Sequence, residues 1–237
     1  MKYKRILLKL SGEALLGDSH FGIEAKIINR YADIVKQING SGVELGIVIG
    51  GGNIYRGIKS GETGIDKITG DKMGMLATVM NALAISDVLR SKHVSNRVLS
   101  AVSIGQFAEV YNSVNARKYL SSGEVCIFSG GTGNPLFTTD SAAALRAIEI
   151  KADVLIKATN VDGVYDSDPR NNPAAKLFDV ITFDECIERN LKVMDQTAFV
   201  LCKENQLSLA VLNVNKDDSI IEFLRGGAVG TLVLHKK

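Results

Sequence analysis

Short apolar runs alternate with longer amphipathic stretches along the whole chain. Residues 6–10 are apolar except for Lys9, which is typical of a buried strand. Within 24–39, apolar side chains recur at the spacing of one helix face. The same patterns predict strands at 6–10, 44–49, 97–102, 125–128, 154–156, 209–212 and 230–234. They predict helices at 24–39, 73–89, 113–120, 141–150, 197–205 and 219–224.

The predicted strands and helices alternate from one end of the sequence to the other. Such alternation favours an α/β fold, a three-layer sandwich in which helices cover both faces of a mostly parallel central sheet. Between 161 and 180 the pattern weakens, and turn-forming residues crowd 166–173. No linker, repeat or low-complexity tract interrupts the chain, so residues 1–237 are predicted to form a single domain. We expect its N-terminal half to bind one ligand and its C-terminal half the other.

Charge and cysteine content disfavour several classes of protein. The 28 basic and 26 acidic residues leave a net charge of +2 without a basic cluster, which argues against a nucleic-acid partner. Cys126, Cys186 and Cys202 form no CxxC pair and have no metal-like spacing to histidine, so buried thiols in a reducing cytosol are expected. The N-terminal apolar run is too short for a signal peptide or a membrane span. We therefore expect a cytoplasmic protein with no membrane partner.

Glycine-rich segments follow three of the predicted strands. Strand 6–10 leads into Ser11-Gly12, strand 44–49 into Gly50-Gly51-Gly52-Asn53, and strand 125–128 into Ser129-Gly130-Gly131-Thr132-Gly133-Asn134-Pro135. In an open parallel sheet, ligands bind beyond the carboxyl ends of the strands. Glycine lets the backbone approach an anion closely, and successive N–H groups then form a concave cradle. Cradles of this kind at one edge fit a polyphosphate donor facing a phosphate-bearing acceptor.

Three charged residues accompany these segments, and each also has an ordinary structural interpretation. Lys9 can reach solvent from a strand edge, although a charge directly after an apolar run is costly to half-bury without a partner. Arg56 can be a plain surface arginine, although a guanidinium suits the geometry of phosphate. Asp140 is equally well placed to cap the following helix. Taken together with the glycine segments, these charges predict phosphoryl transfer.

Several familiar catalytic motifs are absent from the sequence. It contains no GxxxxGKS/T segment, no GxGxxG opening the first strand–helix unit, and no GxSxG. The histidines, His20, His93 and His235, stand in no nucleophile-like context. A P-loop kinase, a dinucleotide oxidoreductase and a hydrolase with a serine or cysteine triad are therefore disfavoured.

Four segments carry a resemblance to a known family. They are Gly-Gly-Gly-Asn-Ile-Tyr-Arg-Gly at 50–57, Asp-Lys-Met-Gly-Met-Leu-Ala-Thr at 71–78, Thr-Gly-Asn-Pro-Leu-Phe-Thr-Thr-Asp at 132–140, and Thr-Asn-Val-Asp-Gly-Val-Tyr at 159–165. The chain resembles the amino-acid-kinase superfamily over essentially its whole length, and the second and third segments resemble its bacterial-type UMP kinases (uridylate kinases). The resemblance implies the acetylglutamate/carbamate kinase-like fold. It also implies ATP-dependent phosphorylation of UMP to UDP in pyrimidine nucleotide biosynthesis.

The resemblance further implies roles for individual residues. The implied catalytic residues are Lys9, Arg56 and Asp140. Those implied for ATP binding are Lys9, Leu10, Ser11, Gly12, Gly52, Arg56, Thr159, Tyr165 and Asp168. Those implied for UMP binding are Gly51, Asp71, Thr132, Gly133, Asn134, Pro135, Leu136, Phe137, Thr138 and Thr139. In addition, Asp195 resembles a further functional position.

Assembly and regulation are implied by the resemblance alone. It implies a homohexamer that GTP activates and UTP inhibits. The segment that would contribute to the GTP response comprises Gly17, Asp18, Ser19, His20, Phe21 and Gly22.

Two residues depart from the family pattern: Lys72 stands where an aromatic residue or a histidine is expected, and Leu136 stands where phenylalanine is common. Neither departure removes a group that the chemistry requires.

Phosphoryl transfer mainly requires positioning and charge neutralisation. A phosphate oxygen of UMP is already anionic near neutral pH because the second phosphate pKa is about 6, so no general base is needed. We expect Mg²⁺ to accompany ATP, held by phosphates and waters rather than by a set of protein ligands. Three alternatives stay open on the sequence alone: a sibling kinase acting on a carboxylate or carbamate, a nucleotide sensor without activity, and a nucleic-acid-binding regulator. The near-neutral charge disfavours the last of these.

Overall fold

The computed structural model, which describes residues 1–55, 64–169, 171–216 and 218–236, is built around a central sheet. Within those ranges the sheet has nine strands in the order β4-β3-β5-β2-β1-β6-β8-β9-β7. The long central strands are runs of buried aliphatic side chains, as expected where both faces of a parallel sheet are covered. The strands are β1 Arg5–Leu10, β2 Glu44–Ile49, β3 Asn96–Ser100, β4 Glu109–Val110, β5 Val125–Ser129, β6 Val154–Thr159, β7 Val180–Thr182, β8 Ser208–Asn213 and β9 Thr231–Leu234.

Helices connect most of these strands. In α1, the buried side chains Ile28, Tyr31 and Val35 follow the spacing of one helix face, as the sequence pattern predicts. A short 3-10 helix, Glu13–Leu16, follows β1. In the described part of the chain the α-helices are α1 Ala25–Gly40, α2 Lys67–Ser91, α3 Ser113–Ser121, α4 Thr139–Glu149, α5 Phe183–Glu188, α6 Gln196–Glu204 and α7 Ser219–Leu224.

Paired strands run parallel except for β8 and β9, which are antiparallel. The predicted mostly parallel sheet is therefore confirmed. At its centre β1 lies between β2 and β6, and the register places Lys9 opposite Val48 on one side and Lys157 on the other. Since parallel strands end at the same edge of a sheet, the segments that follow β1, β2, β5 and β6 meet there.

Alternate side chains of β1 enter two separate cores. Ile6, Leu8 and Leu10 pack in a cluster with residues of α1, α2 and α7. Leu7 packs on the opposite face, in a cluster with residues of α3, α4, α5 and α6. The helices thus cover both faces, and the predicted three-layer arrangement is confirmed. Because successive strand side chains alternate in direction, Lys9 points to the face of Leu7, which α4 covers.

Helix α2 is longer than the sequence pattern predicts. It begins at Lys67 rather than near residue 73, because Asp66 caps it by accepting hydrogen bonds from the N–H groups of Ile68 (2.9 Å) and Thr69 (3.3 Å). By length and a mean hydropathy of 1.3, α2 is apolar enough to cross a membrane. However, 44% of the 18-residue stretch with this hydropathy is buried inside the protein, and the core helices of soluble proteins meet the same criterion.

The sequence pattern does not reveal β7 and α5. β7 has three residues and α5 has six, both shorter than the windows over which hydrophobic periodicity can be measured. α5 is defined instead by a capping box. The Thr182 hydroxyl accepts from Glu185 N at 3.1 Å, and the Glu185 carboxylate accepts from Thr182 N at 2.7 Å.

The three cysteines are free and buried, as predicted. Burial raises the pKa of Cys126 and Cys202 to about 12 and that of Cys186 to about 11. These side chains are therefore protonated thiols at neutral pH and pack as small hydrophobic groups.

Candidate active site

Asp140 lies between two lysine side chains at the carboxyl edge of the sheet. Its Oδ1 is 2.9 Å from Lys9 Nζ, and its Oδ2 is 2.8 Å from Lys157 Nζ. The lysines occupy paired positions of β1 and β6, and Asp140 stands in the first turn of α4. All three side chains are largely buried, with exposed fractions of 13% to 19%. We call these three residues the charged triad.

The triad favours an anionic ligand. Burial by itself would raise the pKa of Asp140, but the ammonium groups of Lys9 and Lys157 outweigh it and hold the pKa below its usual value. The carboxylate is therefore ionised at neutral pH, and it balances only one of the two positive charges. Lys157 Nζ also donates to the Val193 carbonyl at 2.8 Å, which fixes its position. The remaining positive charge lies at the carboxyl edge of the sheet, where it can attract a phosphate.

Thr138 and Asp195 hold the start of α4. The Thr138 hydroxyl accepts from the N–H groups of Asp140 (3.1 Å) and Ser141 (3.3 Å). The same hydroxyl donates to the Asp195 carboxylate, which also accepts from Ser141 Oγ at 3.1 Å. Asp195 in turn caps α6 by accepting from Ala198 N at 2.9 Å. Asp195, which the resemblance singled out, thus joins the starts of two helices beside the charged triad.

Close backbone approaches at this edge require glycine at two positions. A Cβ at Gly12 would lie 2.2 Å from the carbonyl oxygen of Gly50, and a Cβ at Gly51 would lie 2.8 Å from that of Gly74. Both distances are far below van der Waals contact, so no side chain fits without a shift of the backbone. The segments after β1 and β2 therefore pack directly against each other and against α2.

A buried amide pair holds the segment after β2 in place. Asn53 and Asn81 donate to each other's Oδ1, at 3.0 and 2.7 Å, and Asn81 Nδ2 also donates to the Gly50 carbonyl at 2.6 Å. Asn53 pairs in addition with Gly22, whose carbonyl accepts at 3.0 Å and whose N–H donates at 3.1 Å. The segment 17–22, predicted to contribute to regulation, is thereby joined to the segment after β2.

The segment after β5 turns sharply. Gly130, Gly131 and Gly133 have φ values of 75°, 60° and 86°, the left-handed region that glycine adopts readily. Gly130 N donates to the buried hydroxyl of Thr78 on α2, at 2.8 Å. We call residues 130–138 the acceptor segment, because it carries most of the positions predicted for UMP.

Asp71 contacts this acceptor segment at an unusual backbone conformation. Leu136 has a φ of 71°, which is strained for a residue with a side chain, and Asp71 Oδ2 accepts from its N–H at 2.9 Å. The two departures from the family pattern, Lys72 and Leu136, are both exposed.

Two clefts meet at the charged triad. The first, of about 450 Å³, we call the triad cleft. The second, of about 530 Å³, we call the tyrosine cleft; it is lined by Lys157 together with the predicted residues Thr159, Tyr165 and Asp168. Lys157 therefore borders one cleft while its Nζ contacts Asp140 in the other. The predicted residues that line the triad cleft are Lys9, Ser11, Gly12, Gly51, Gly52, Asp71, Thr132, Asn134, Phe137, Thr138, Thr139 and Asp140.

Some predicted positions do not line these clefts. Leu10 is 1% exposed and packs in the core. Gly133, Pro135 and Leu136 belong to the acceptor segment but are not among the residues lining the triad cleft. Arg56 lies outside the described residues. A larger cavity of about 750 Å³, between α1 and residues 214–221, contains none of the predicted residues that the structure describes, so volume alone does not locate the site.

A family model confirms the relationship read from the sequence. The model describes the amino acid kinase family and matches residues 4–213 of this chain. The chain belongs to the amino acid kinase family. Curated relatives of this amino acid kinase are named uridylate kinase. The relative from Stutzerimonas stutzeri is 54% identical over 232 residues, or 98% of this chain and 94% of the relative. The relative from Colwellia psychrerythraea is 50% identical over 235 residues, or 99% and 95%.

Solved structures of UMP kinases share the fold of this amino acid kinase. The Bacillus anthracis enzyme has a TM-score of 0.97 at 36% identity, covering 100% of this chain and 98% of its own. The Ureaplasma parvum enzyme has a TM-score of 0.93 at 39% identity, covering 99% and 100%. The uridylate kinase of Archaeoglobus fulgidus is more distant, with a TM-score of 0.73 at 27% identity and coverages of 96% and 99%. The predicted amino-acid-kinase fold is therefore confirmed.

Lys157 is the residue of the charged triad that the sequence reasoning missed. A signal for it was present, because Lys157 interrupts the apolar run of β6 as Lys9 interrupts that of β1. The cost of half-burying a lysine in a strand applies equally to both. Only the register of β1 and β6, however, reveals that the two lysines share one carboxylate.

Replacing Asp140 with asparagine should lower the free energy of unfolding at neutral pH, because two buried ammonium groups lose their shared counter-ion. A carboxylate whose pKa is lowered by folding stabilises the protein above the unfolded pKa of about 3.9, and this stabilisation is lost as the pH falls through the folded value. The gap between wild type and Asp140→Asn should therefore be full near pH 7 and shrink below about pH 4. Urea unfolding across this range measures it.

Asp184→Asn is the matched control for this experiment, because Asp184 pairs with Lys203 on the surface, where its side chain is 62% exposed. Such pairs contribute about 1 kcal/mol or less, so the control should differ little from wild type at every pH. A gap for Asp140→Asn that stays constant with pH would contradict the lowered pKa.

Proposed function

We propose that this amino acid kinase transfers the γ-phosphoryl group of ATP to UMP, giving UDP and ADP, as a step of pyrimidine nucleotide biosynthesis. Its likeness over nearly the full chain to proteins named uridylate kinase supports this activity. The observation that carries the proposal is the charged triad. It presents two lysines where a glycine-lined cleft meets a second cleft, as a transfer between two phosphate-bearing ligands requires.

UMP is assigned to the triad cleft and the adenosine of ATP to the tyrosine cleft. The acceptor segment and Asp71 would contact UMP, and Thr159, Tyr165 and Asp168 would contact adenosine. The phosphates of ATP would then extend from the tyrosine cleft past Lys157 toward Lys9. In this assignment residues 1–237 act as a single domain, in which UMP is bound mainly by the N-terminal part, taken as far as the start of α4, and adenosine by the C-terminal part that follows.

The reaction needs little proton chemistry from the protein. A phosphate oxygen of UMP attacks the γ-phosphorus of ATP in line, and the bond from that phosphorus to the β–γ bridging oxygen breaks to release ADP. The attacking oxygen is already negative above its second pKa of about 6, so no side chain has to remove a proton. Lys9 and Lys157 would neutralise charge on the transferring group, while Asp140 keeps both ammonium groups in place.

Backbone groups would hold the donor phosphates beside these lysines. Ser11, Gly12 and Gly52 line the triad cleft, where N–H groups near glycine can approach an anion closely. Arg56, which lies outside the described residues, is assigned the role that the resemblance implies: neutralising charge between the donor and the acceptor phosphates.

Mg²⁺ is proposed to enter with ATP. Asp140 is already paired with two ammonium groups, so it is a poor ligand for a cation. Among the residues described, no group of three or more histidine, cysteine, aspartate or glutamate side chains is placed to bind a metal ion. The phosphates and water would therefore supply most of the ligands, and the ion would offset the negative charge of the phosphates.

Assembly as a cytoplasmic homohexamer, activation by GTP and inhibition by UTP are proposed on the resemblance. Self-association is supported by the apolar side chains that α2 exposes, since Met73, Leu76 and Met80 are 37%, 51% and 54% exposed. Neighbouring apolar side chains on a helix surface are typical of a face that another protein chain covers.

The choice of acceptor predicts a clear order of rates. With ATP and Mg²⁺, UMP should support ADP release at least about 100-fold faster than acetylglutamate, aspartate or carbamate, because the polar groups assigned to UMP would be unpaired with those acceptors. A coupled assay across this panel, with CMP and dUMP included and GTP added or omitted, measures the rates. Tight binding of UMP without ADP release would mean a sensor instead of an enzyme. Preferred phosphorylation of a carboxylate or carbamate would mean a sibling kinase.

Loss of either lysine should slow turnover strongly. Lys9→Ala, Lys157→Ala and Arg56→Ala should each lower kcat by about 10²–10³-fold, the usual effect of removing one group that stabilises developing charge. In the first two variants Asp140 keeps one ammonium partner, so the fold should stay intact, as circular dichroism and urea unfolding would show. Lys203→Ala removes an exposed ammonium group and should leave kcat within about twofold. Near-normal turnover by folded Lys9→Ala would contradict the mechanism.

A further inference from the structure

A buried arginine that the proposed mechanism does not use contacts the acceptor segment. Arg146, near the end of α4, is 4% exposed, and its Nη2 donates to the carbonyl oxygen of Gly131 at 3.4 Å. This hydrogen bond is long, but its donor carries a full charge. Gly131 and the next residue, Thr132, both line the triad cleft, whereas Arg146 does not.

Two side chains keep the guanidinium of Arg146 in one orientation. Its Nη1 forms an ion pair with the Glu149 carboxylate, and its Cζ lies 4.0 Å from the centroid of the Tyr111 ring. The Tyr111 hydroxyl donates to the same carboxylate at 2.7 Å. Burial and this hydrogen bond raise the pKa of Tyr111, so the hydroxyl stays protonated and continues to donate. A guanidinium enclosed in this way loses little further freedom when it binds a carbonyl.

The acceptor segment needs such support because its first residues are intrinsically flexible. Gly130, Gly131 and Gly133 are all left-handed, and glycine has many alternative conformations of similar energy. The hydrogen bond from Gly130 N to the Thr78 hydroxyl holds one side of this turn. The bond from Arg146 to the Gly131 carbonyl holds the next residue, so two consecutive residues are fixed to different helices, α2 and α4.

We propose that Arg146 is a positioning residue for UMP. By holding the Gly131 carbonyl it fixes the direction in which Thr132 and the rest of the acceptor segment enter the triad cleft, although it touches neither substrate. This inference rests on the proposed assignment of UMP to that cleft. Helix α4 then serves both halves of the reaction, since its first turn carries Asp140 and its last turn supports the UMP site.

Arg146→Lys tests this role, because lysine keeps the charge but cannot pair with Glu149, stack on Tyr111 and reach Gly131 at once. The KM for UMP should rise about tenfold, while the KM for ATP and kcat should stay within about threefold. Hydrogen exchange of the free protein should be faster in a peptide covering 130–138 and unchanged in one covering 159–168. An unchanged KM for UMP would overturn the proposal, as would a parallel rise in both KM values and in exchange of both peptides.

Arg5→Lys is the matched control. Arg5 is also a largely buried arginine; it pairs with Glu44 and donates to the carbonyl of Ile150, but it stands at the start of β1, the end opposite the triad. Its replacement should lower stability while leaving both KM values within about twofold. A rise in the KM for UMP as large as that of Arg146→Lys would overturn the proposal, because general loosening would then explain both.

A double variant keeps the test decisive if Arg146→Lys does not fold. Arg146→Met combined with Glu149→Gln removes both charges, so no unpaired charge is buried, and it should raise the KM for UMP in the same selective way. Failure of the proposed function is distinguishable, because the wild-type protein would then not phosphorylate UMP at all. Hydrogen exchange of residues 130–138 in the Arg146 variants would still report whether Arg146 holds the acceptor segment. Exchange equal to that of wild type would overturn this positioning role.

Discussion

A buried carboxylate shared by two lysines is the interaction on which the site depends. Lys9 and Lys157 stand at paired positions of adjacent strands, where two half-buried ammonium groups would repel each other. Asp140 resolves this conflict only if the first turn of α4 lies at the ends of β1 and β6. The shared ion pair therefore depends both on the position of α4 and on the register of β1 and β6.

The surrounding contacts hold this arrangement and leave room for ligands. Thr138 and Asp195 fix the start of α4 to α6, while Asn53 and Asn81 fix the segment after β2 to α2. Glycine at position 12 lets two strand ends meet with their backbones in direct contact. The outcome is a sheet edge at which two clefts border the triad, whose two lysines exceed its single carboxylate by one positive charge. Such preorganised charge is what phosphoryl transfer requires of a protein.

Much of this arrangement can be predicted from the sequence, because the central strands are mostly apolar runs and helix α1 has a clear apolar face. Lys9 and Asp140 were predicted from the strand ends, and the structure brings them into contact. Lys157 was not, because its partner is set by strand register rather than by neighbours in sequence. Helix α5 is not predicted from the sequence pattern because six residues are too few to show a hydrophobic periodicity, although Thr182 and Glu185 form its capping box. The assignment of residues to UMP or ATP came from family resemblance, not from any pattern of spacing.

The charged triad is proposed to act mainly on the chemical step, by neutralising charge on the transferring phosphoryl group. Single-turnover formation of UDP by Asp140→Asn, with equilibrium binding of ATP and of UMP measured on the same preparation, tests this most directly. Both nucleotides should bind within about tenfold of wild type, and the chemical step should be slowed by at least about 100-fold. A chemical step near the wild-type rate in the folded variant would contradict it.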